Sequence, residues 1–300
     1  GEECDAFIVC VNANASTAVN QQVSKVGKPF LVETPCSDPN TIKYCIDNDI
    51  IAGALEQWPF LPLEQFKKLY IERFFKTPVY LAVNDCRSLD YHGMAQIRSY
   101  AGLEQKPSYA KGHGLGLSPT DLKYQNNSGD VVPFQDNWDF GSVQMEKSVL
   151  LHHFSYTCKV APFRSLQTLR AYSADGTIVT GKLKSFGTDY DILEFGHLSG
   201  EKTVNSVVRP EIKTFDDKEV TISIVDEVTG LAWKNPYADL ELDDQKTAVM
   251  TILDGFRDKI VSGDSDHFYS AENSLIDLWI TATIKQSAQE HKPIKMGSLW

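Results

Sequence analysis

Residues Asp5 to Pro35 constrain this chain most, because they read as strand, helix, strand within about 29 residues, the dimensions of one βαβ unit. Ala6 to Val11 is a short, nearly continuous apolar run, the pattern of a parallel strand covered by helices on both faces. Asn12 to Asn14 closes it, Ser16 to Val26 is compatible with a helix, and Gly27 is placed as the stop. Pro29 to Glu33 is the second apolar strand. Parallel strands need such a crossover, so the chain opens on a parallel sheet.

The same grammar continues for one more unit and then stops. Ser37-Asp38-Pro39 supplies helix-capping chemistry with proline just inside the helix that carries Ile42, Tyr44, Cys45 and Ile46, and Ile50 to Leu55 is the next strand. From Gln57 the pattern leaves that sheet: Pro59 and Pro62 break the backbone, Leu63 to Phe74 reads as an amphipathic helix, and Val79 to Val83 as a strand. The expected boundary therefore separates residues 1–57 from 58–300. Tyr91 to Tyr100 reads as a short helix, and Gln105 to Pro133, rich in Gly, Ser, Asn and Pro, as a long excursion. Within it, Gly112-His113-Gly114-Leu115-Gly116 follows no predicted strand and opens no helix, so it reads as a loop rather than a phosphate cradle. From Trp138 to about Val225 the chain alternates in the strand manner (VLLHHFSYT, SLQTLRAYS, TIVTGKLKSF, EVTISIVDEV), predicting a large, mostly antiparallel sheet. Asp243 to Val261 and Ala271 to His291 read as two closing helices. The predicted fold class is α/β, a parallel-sheet domain followed by an α+β domain.

Composition narrows the partners. With 29 Lys+Arg against 40 Asp+Glu, the net charge of -11 opposes a polyanionic backbone, so no nucleic-acid partner is expected. Six cysteines are scattered without a C-x-x-C pair or a Cys/His cluster at zinc-ligand spacing, so no metal is expected. His152-His153 lie on a predicted strand, where adjacent side chains point to opposite faces and cannot chelate together. No apolar run approaches the roughly 18 residues of a membrane helix, and the start GEECDAF has no leader pattern. An intracellular, reducing compartment is the expectation: cytoplasmic, or an organelle matrix after removal of a leader.

The segment Val26-Gly27-Lys28-Pro29-Phe30-Leu31-Val32-Glu33-Thr34-Pro35 resembles the strand of the Gfo/Idh/MocA oxidoreductases that ends in Glu-Lys-Pro. Further matches follow in order: Glu56-Gln57-Trp58 with Pro59 and Pro62; Asp90-Tyr91-His92-Gly93 with Ile97-Arg98; and Tyr269-Ser270-Ala271-Glu272 through Ser287-Ala288 to Lys292-Pro293-Ile294. The resemblance spans the whole chain. It implies that residues 1–57 are the C-terminal part of a Rossmann-type dinucleotide-binding domain, whose Gly-rich phosphate-binding turn would precede Gly1. It also implies that 58–300 form the substrate and oligomerisation domain, with closing helix and strand at 271–296, and that a homo-oligomer forms through the open sheet, or else the chain is a subunit of a larger assembly. The implied cofactor is NAD or NADP, and the implied substrate a sugar, cyclitol or similar hydroxy compound.

Candidate site residues follow from both lines. Histidine titrates near neutrality, so His92 is the candidate acid/base for the proton that accompanies hydride loss from an alcohol, with Asp90 to orient it. The family more often places an acid four residues before its histidine, where Ser88 stands here. Thr34 occupies the position of the usual lysine, a cation that stabilises the developing alkoxide; threonine brings a hydroxyl without the charge. Asn12 and Asn14 sit just after the first strand, at the carboxyl end where parallel sheets bind ligands, and are candidate cofactor contacts together with Glu33, Pro35 and Trp58. Tyr91 and Trp138, and again Trp58, are candidates for packing against a sugar face. Two readings stand: an active NAD(P)-dependent oxidoreductase, and a catalytically degenerate relative serving as a sensor, regulator or structural subunit.

Overall fold

The central strand of the opening segment is buried on both faces, and each helix between the strands carries its own cap. In the computed structural model, which describes residues 4–88, 90–117, 123–125, 131–133, 136–154, 165–185 and 188–297, β1 (Phe7–Val9), β2 (Phe30–Val32) and β3 (Ala52–Ala54) form a parallel sheet in sequence order. Phe7 lies opposite Phe30, and Phe30 opposite Ala52. Phe30, Leu31 and Val32 are at most 2% exposed, as expected of a strand covered on both sides. The intervening helices are α1 (Ala13–Ser24), capped by the Asn12 side chain, and α2 (Pro39–Asp47), capped by Asp38, which accepts from Asn40 N and Thr41 Oγ1. A 3-10 turn at Trp58–Phe60 then leads into α3 (Pro62–Phe74).

Two compact units emerge: one comprises the residues up to Tyr70 with Val208–Trp279, the other Ile71–Val207 with Ile280–Gly297. The second unit begins with β4 (Leu81–Asp85) and α4 (Asp90–Ala101). It continues with β5 (Pro107–Leu117), β6 (Lys123–Gln125), β7 (Val131–Pro133), β8 (Asp136–Met145), β9 (Val149–Phe154), β10 (Ser165–Tyr172), β11 (Gly176–Ser185), β12 (Thr188–Ser199) and β13 (Lys202–Asn205). The first unit then gains β14 (Val208–Phe215), β15 (Lys218–Asp226), β16 (Ala232–Lys234) and α5 (Asp244–Ser262), which starts on the Asp243 cap and ends on Gly263 at φ 83. The closing helix α6 (Ala271–Glu290) and β17 (Ile294–Lys295) complete the chain.

In the second unit nine strands form one sheet in the order β13-β12-β11-β10-β4-β9-β8-β5-β17, antiparallel except for the β4/β9 pair. The large, mostly antiparallel sheet and the small parallel one are the α/β architecture the sequence predicts. Strand parity divides its two faces. Ala82, Leu150, Leu169 and Ile178 are at most 2% exposed on one face, whereas Tyr109, Phe140, Leu166 and Tyr190 on the other are 43–55% exposed. The glycine-rich stretch read as a loop is instead part of β5, paired with β8. At Gly112 a Cβ would collide with the Ile284 carbonyl of α6, and the Gly112 N–H donates to Ser287 Oγ at 2.9 Å. Gly112 serves helix-on-sheet approach, which the sequence pattern alone does not distinguish from turn chemistry.

Candidate functional site

The first turn of α4 is assembled from the strand beneath it. Asn84, on β4 and fully buried, accepts from the Ser88 N–H at 3.0 Å and donates to the Ser88 carbonyl at 2.8 Å. Those two bonds fix the amide's orientation, so its remaining hydrogen is directed to His152 Nδ1, 3.1 Å away. His152 therefore accepts on Nδ1 and carries its proton on Nε2. Burial pushes the His152 imidazole down to about 4, with Lys285 and His153 acting in the same direction and Asp90 against. Gly93 completes the contact, because any Cβ there would meet the Asn84 amide. Ser88, at the position where the resemblance leads one to expect an acid, is 1% exposed and donates its hydroxyl to Gln96 Oε1. It is a packing residue joined to the core.

On this base stand three of the predicted residues. Asp90 opens α4 at φ 34, in the left-handed region that aspartate tolerates better than most residues. Its carboxylate pairs with Lys285 of α6 at 3.0 Å, each about two-fifths exposed. His92 follows in the same turn, half-buried, with its ring 4.2 Å from that of Tyr91. Sequence reasoning missed Lys285, which lies 195 residues from Asp90 and belongs to no motif. The Trp138 backbone sits in β8 opposite Leu115, and its side chain lies outside the described residues.

In the first unit the predicted cofactor residues cluster at the carboxyl ends of the parallel strands. Asn12 follows β1 and its side-chain oxygen accepts from Ala15 N at 3.1 Å, leaving the amide NH₂ as a donor. Asn14 is exposed on the first turn of α1, and Glu33 is exposed just after β2. Thr34 and Pro35 are half-buried and joined by a cis peptide bond, and Trp58 opens the 3-10 turn, also half-buried. These are uncharged amides, a hydroxyl and one carboxylate beside helix N–H groups, a donor set suited to a dinucleotide's ribose and carboxamide. A cleft of about 330 Å³ elsewhere in this unit, lined by Ile42, Cys45, Ile50, Ala52, Lys259 and Phe268 among others, includes none of the predicted site residues.

The exposed face of the second unit's sheet carries a constellation with no counterpart in the sequence patterns. His153 Nδ1 lies 2.8 Å from Asp85 Oδ1, Arg170 Nη2 donates to Asp85 Oδ2 at 3.1 Å, and Cys86 Sγ lies 3.8 and 3.9 Å from the two His153 ring nitrogens. Adjacent His152 and His153 thus point to opposite faces, as strand geometry requires. The expectation of no Cys/His cluster rested on spacing along the chain, and the β4/β9 pairing brings together residues 67 and 68 apart.

No protein-family profile matches this sequence, and no curated protein matches it. Solved structures do. An oxidoreductase from Agrobacterium radiobacter, in complex with NAD+, L-tartaric acid and magnesium, superposes with a TM-score of 0.64 at 12% identity, covering 98% of this chain and 80% of its own. A levoglucosan dehydrogenase in complex with NADH and levoglucosan gives 0.63 at 13% identity, covering 99% and 81%. An aldose-aldose oxidoreductase from Caulobacter crescentus complexed with glycerol gives 0.56 at 14% identity, covering 97% and 79%. Over nearly its whole length, then, this chain has the fold of these oxidoreductases.

Proposed function

We propose that this protein is an NAD(P)-dependent oxidoreductase of the Gfo/Idh/MocA type, acting on a hydroxyl group of a sugar, cyclitol or related compound. The observation that carries the reading is the first turn of α4, which carries both His92 and an Asp90 held by Lys285, on a base of buried hydrogen bonds. His92 takes the hydroxyl proton of the substrate, and Asp90 with Lys285 sets the charge around it. Tyr91 and Trp138 pack against the substrate's C–H face. Asn12, Asn14, Glu33, Pro35 and Trp58 hold the cofactor, which supplies the hydride acceptor when bound. Thr34 offers the reacting oxygen a hydrogen bond without a charge; by analogy with other oxyanion stabilisers, losing the lysine costs on the order of 100-fold in rate. The exposed sheet face of the second unit, with its half-exposed aromatic residues, serves as the contact between copies. Among the described residues no helix is long and apolar enough to cross a membrane.

The second reading, a relative that keeps the fold without turnover, draws on Thr34 and on the uncharged, buried Ser88. Titration with NADH and NADPH, followed by nicotinamide fluorescence, and a screen of polyols and sugars for NAD(P) reduction separate the two. Saturable binding and turnover lost in His92→Ala support the first reading. Absence of binding to either nucleotide refutes it.

A further inference from the structure

We propose that Asp85, Cys86 and His153 form a binding site for a divalent transition-metal ion of the zinc type, with Asp85 Oδ1, Cys86 Sγ and His153 Nδ1 as ligands and a water molecule in the fourth position. The three ligand atoms lie within 4.8 Å of one another. Around a tetrahedral zinc, bond lengths of about 2.3 Å to sulfur and about 2.0 Å to nitrogen and oxygen place S and N about 3.5 Å apart and N and O about 3.3 Å apart. The observed Cys86 to His153 separation of 3.8 Å is within about 0.3 Å of the first. Asp85 and His153, 2.8 Å apart through a hydrogen bond, need to separate by about half an ångström as the ion replaces the shared proton.

The surroundings are those of a metal site. Arg170 holds Asp85 Oδ2 at 3.1 Å and leaves Oδ1 for the ion, the outer partner that fixes a ligating carboxylate. Thr168 lies opposite Asp85 in the β10/β4 register, so its side chain shares that face, and Cys86 also bridges to it. Its hydroxyl is buried without a hydrogen-bond partner among the described residues, the residue being 1% exposed. Water in the fourth coordination position would provide that partner. Cys86 is fully buried, and its thiol lies against the His153 ring at 3.8 and 3.9 Å from the two nitrogens. One thiolate, one imidazole and one carboxylate favour zinc or cobalt over magnesium or calcium, which prefer all-oxygen shells. The two negative ligands offset the dication, and the Cys86 proton is released on binding. The site rests on the second unit alone and is independent of nicotinamide binding.

The test is a titration of the chelator-treated full chain with Co²⁺. One equivalent should produce a thiolate-to-cobalt charge-transfer band together with the intense visible bands of tetrahedral cobalt, both bleached by Zn²⁺. Cys86→Ser should remove the charge-transfer band, Arg170→Gln should weaken binding about 10- to 100-fold, and Cys10→Ser should change nothing. Absence of the charge-transfer band, or its survival in Cys86→Ser, overturns the proposal. Should Cys86→Ser fail to fold, His153→Gln serves in its place: unchanged cobalt affinity in that variant overturns it as well.

Discussion

Acidification from pH 7 to 4.5 probes the buried His152 directly. Its folded value of about 4 lies below the ordinary 6.5 because burial disfavours the imidazolium, and because Asn84 donates into Nδ1 and thereby requires the neutral ring. The unfolded chain therefore takes up the proton first. The stabilisation is complete above about pH 6.5 and is lost as the pH falls toward about 4. At about 1.4 kcal/mol per pH unit, the gap amounts to about 3 kcal/mol, most of it already lost at pH 4.5. Urea denaturation at the two pH values, in wild type and in His152→Gln, isolates this share from that of the carboxylates, since only the wild type should show it. The acid loss in the variant should be smaller by about 2 to 3 kcal/mol. NMR supplies a second measure: the His152 ring should remain the Nε2–H tautomer and not titrate near 6.5. Equal acid losses in both proteins, or a ring that titrates with a free histidine, would refute the reasoning.

Three further outcomes follow from the same geometry. Asn84→Ala leaves the Ser88 N–H, the Ser88 carbonyl and His152 Nδ1 without their partner; at about 1 kcal/mol each the loss is about 3 kcal/mol by denaturant titration. Under the proposed function it also lowers kcat more than it raises KM, because the turn that presents His92 loosens; a loss below about 1 kcal/mol would remove Asn84 from this role. Gly112→Ala drives a Cβ into the Ile284 carbonyl and should cost about 3 kcal/mol or more, whereas Gly114→Ala, which meets only the Ala288 methyl at 3.4 Å, should cost under about 1 kcal/mol. Comparable thermal shifts for the two would contradict the close approach of α6 to β5. Asp38→Ala removes the α2 cap and should destabilise by about 1 kcal/mol.

Local chemistry was legible in the sequence, and long-range convergence was not. The cap at Asp38, the helix over Leu63 to Phe74 and the alternating strands were readable because each signal lies within a few neighbouring residues. Gly112 misled because its reason, the backbone of α6, is about 170 residues away, and a glycine required by a neighbour looks the same in sequence as one required by a turn. Lys285 beside Asp90, and Cys86 beside His153, belong to the same class. Ser88 illustrates the reverse limit: the absent acid was plain in the sequence, yet that its replacement is tied to Asn84 and Gln96 inside the core required coordinates.

The parity of β4 against β9 has a consequence for folding. Asn84 faces His152 and Asp85 faces His153 across a parallel pair, so one cross-strand step separates a dry amide–imidazole contact from a solvated charged one. Sliding β4 by one residue would carry the Asp85 carboxylate into the apolar layer beneath α4 and bring Asn84 out into water, an exchange of several kcal/mol in the wrong direction, on the order of the cost of burying an unpaired charge. The two neighbouring pairs thus act as a lock on alignment. They penalise every odd-numbered misregistration of what is, among the described residues, the one parallel junction in the large sheet, in the kind of pairing where no tight turn is available to set it.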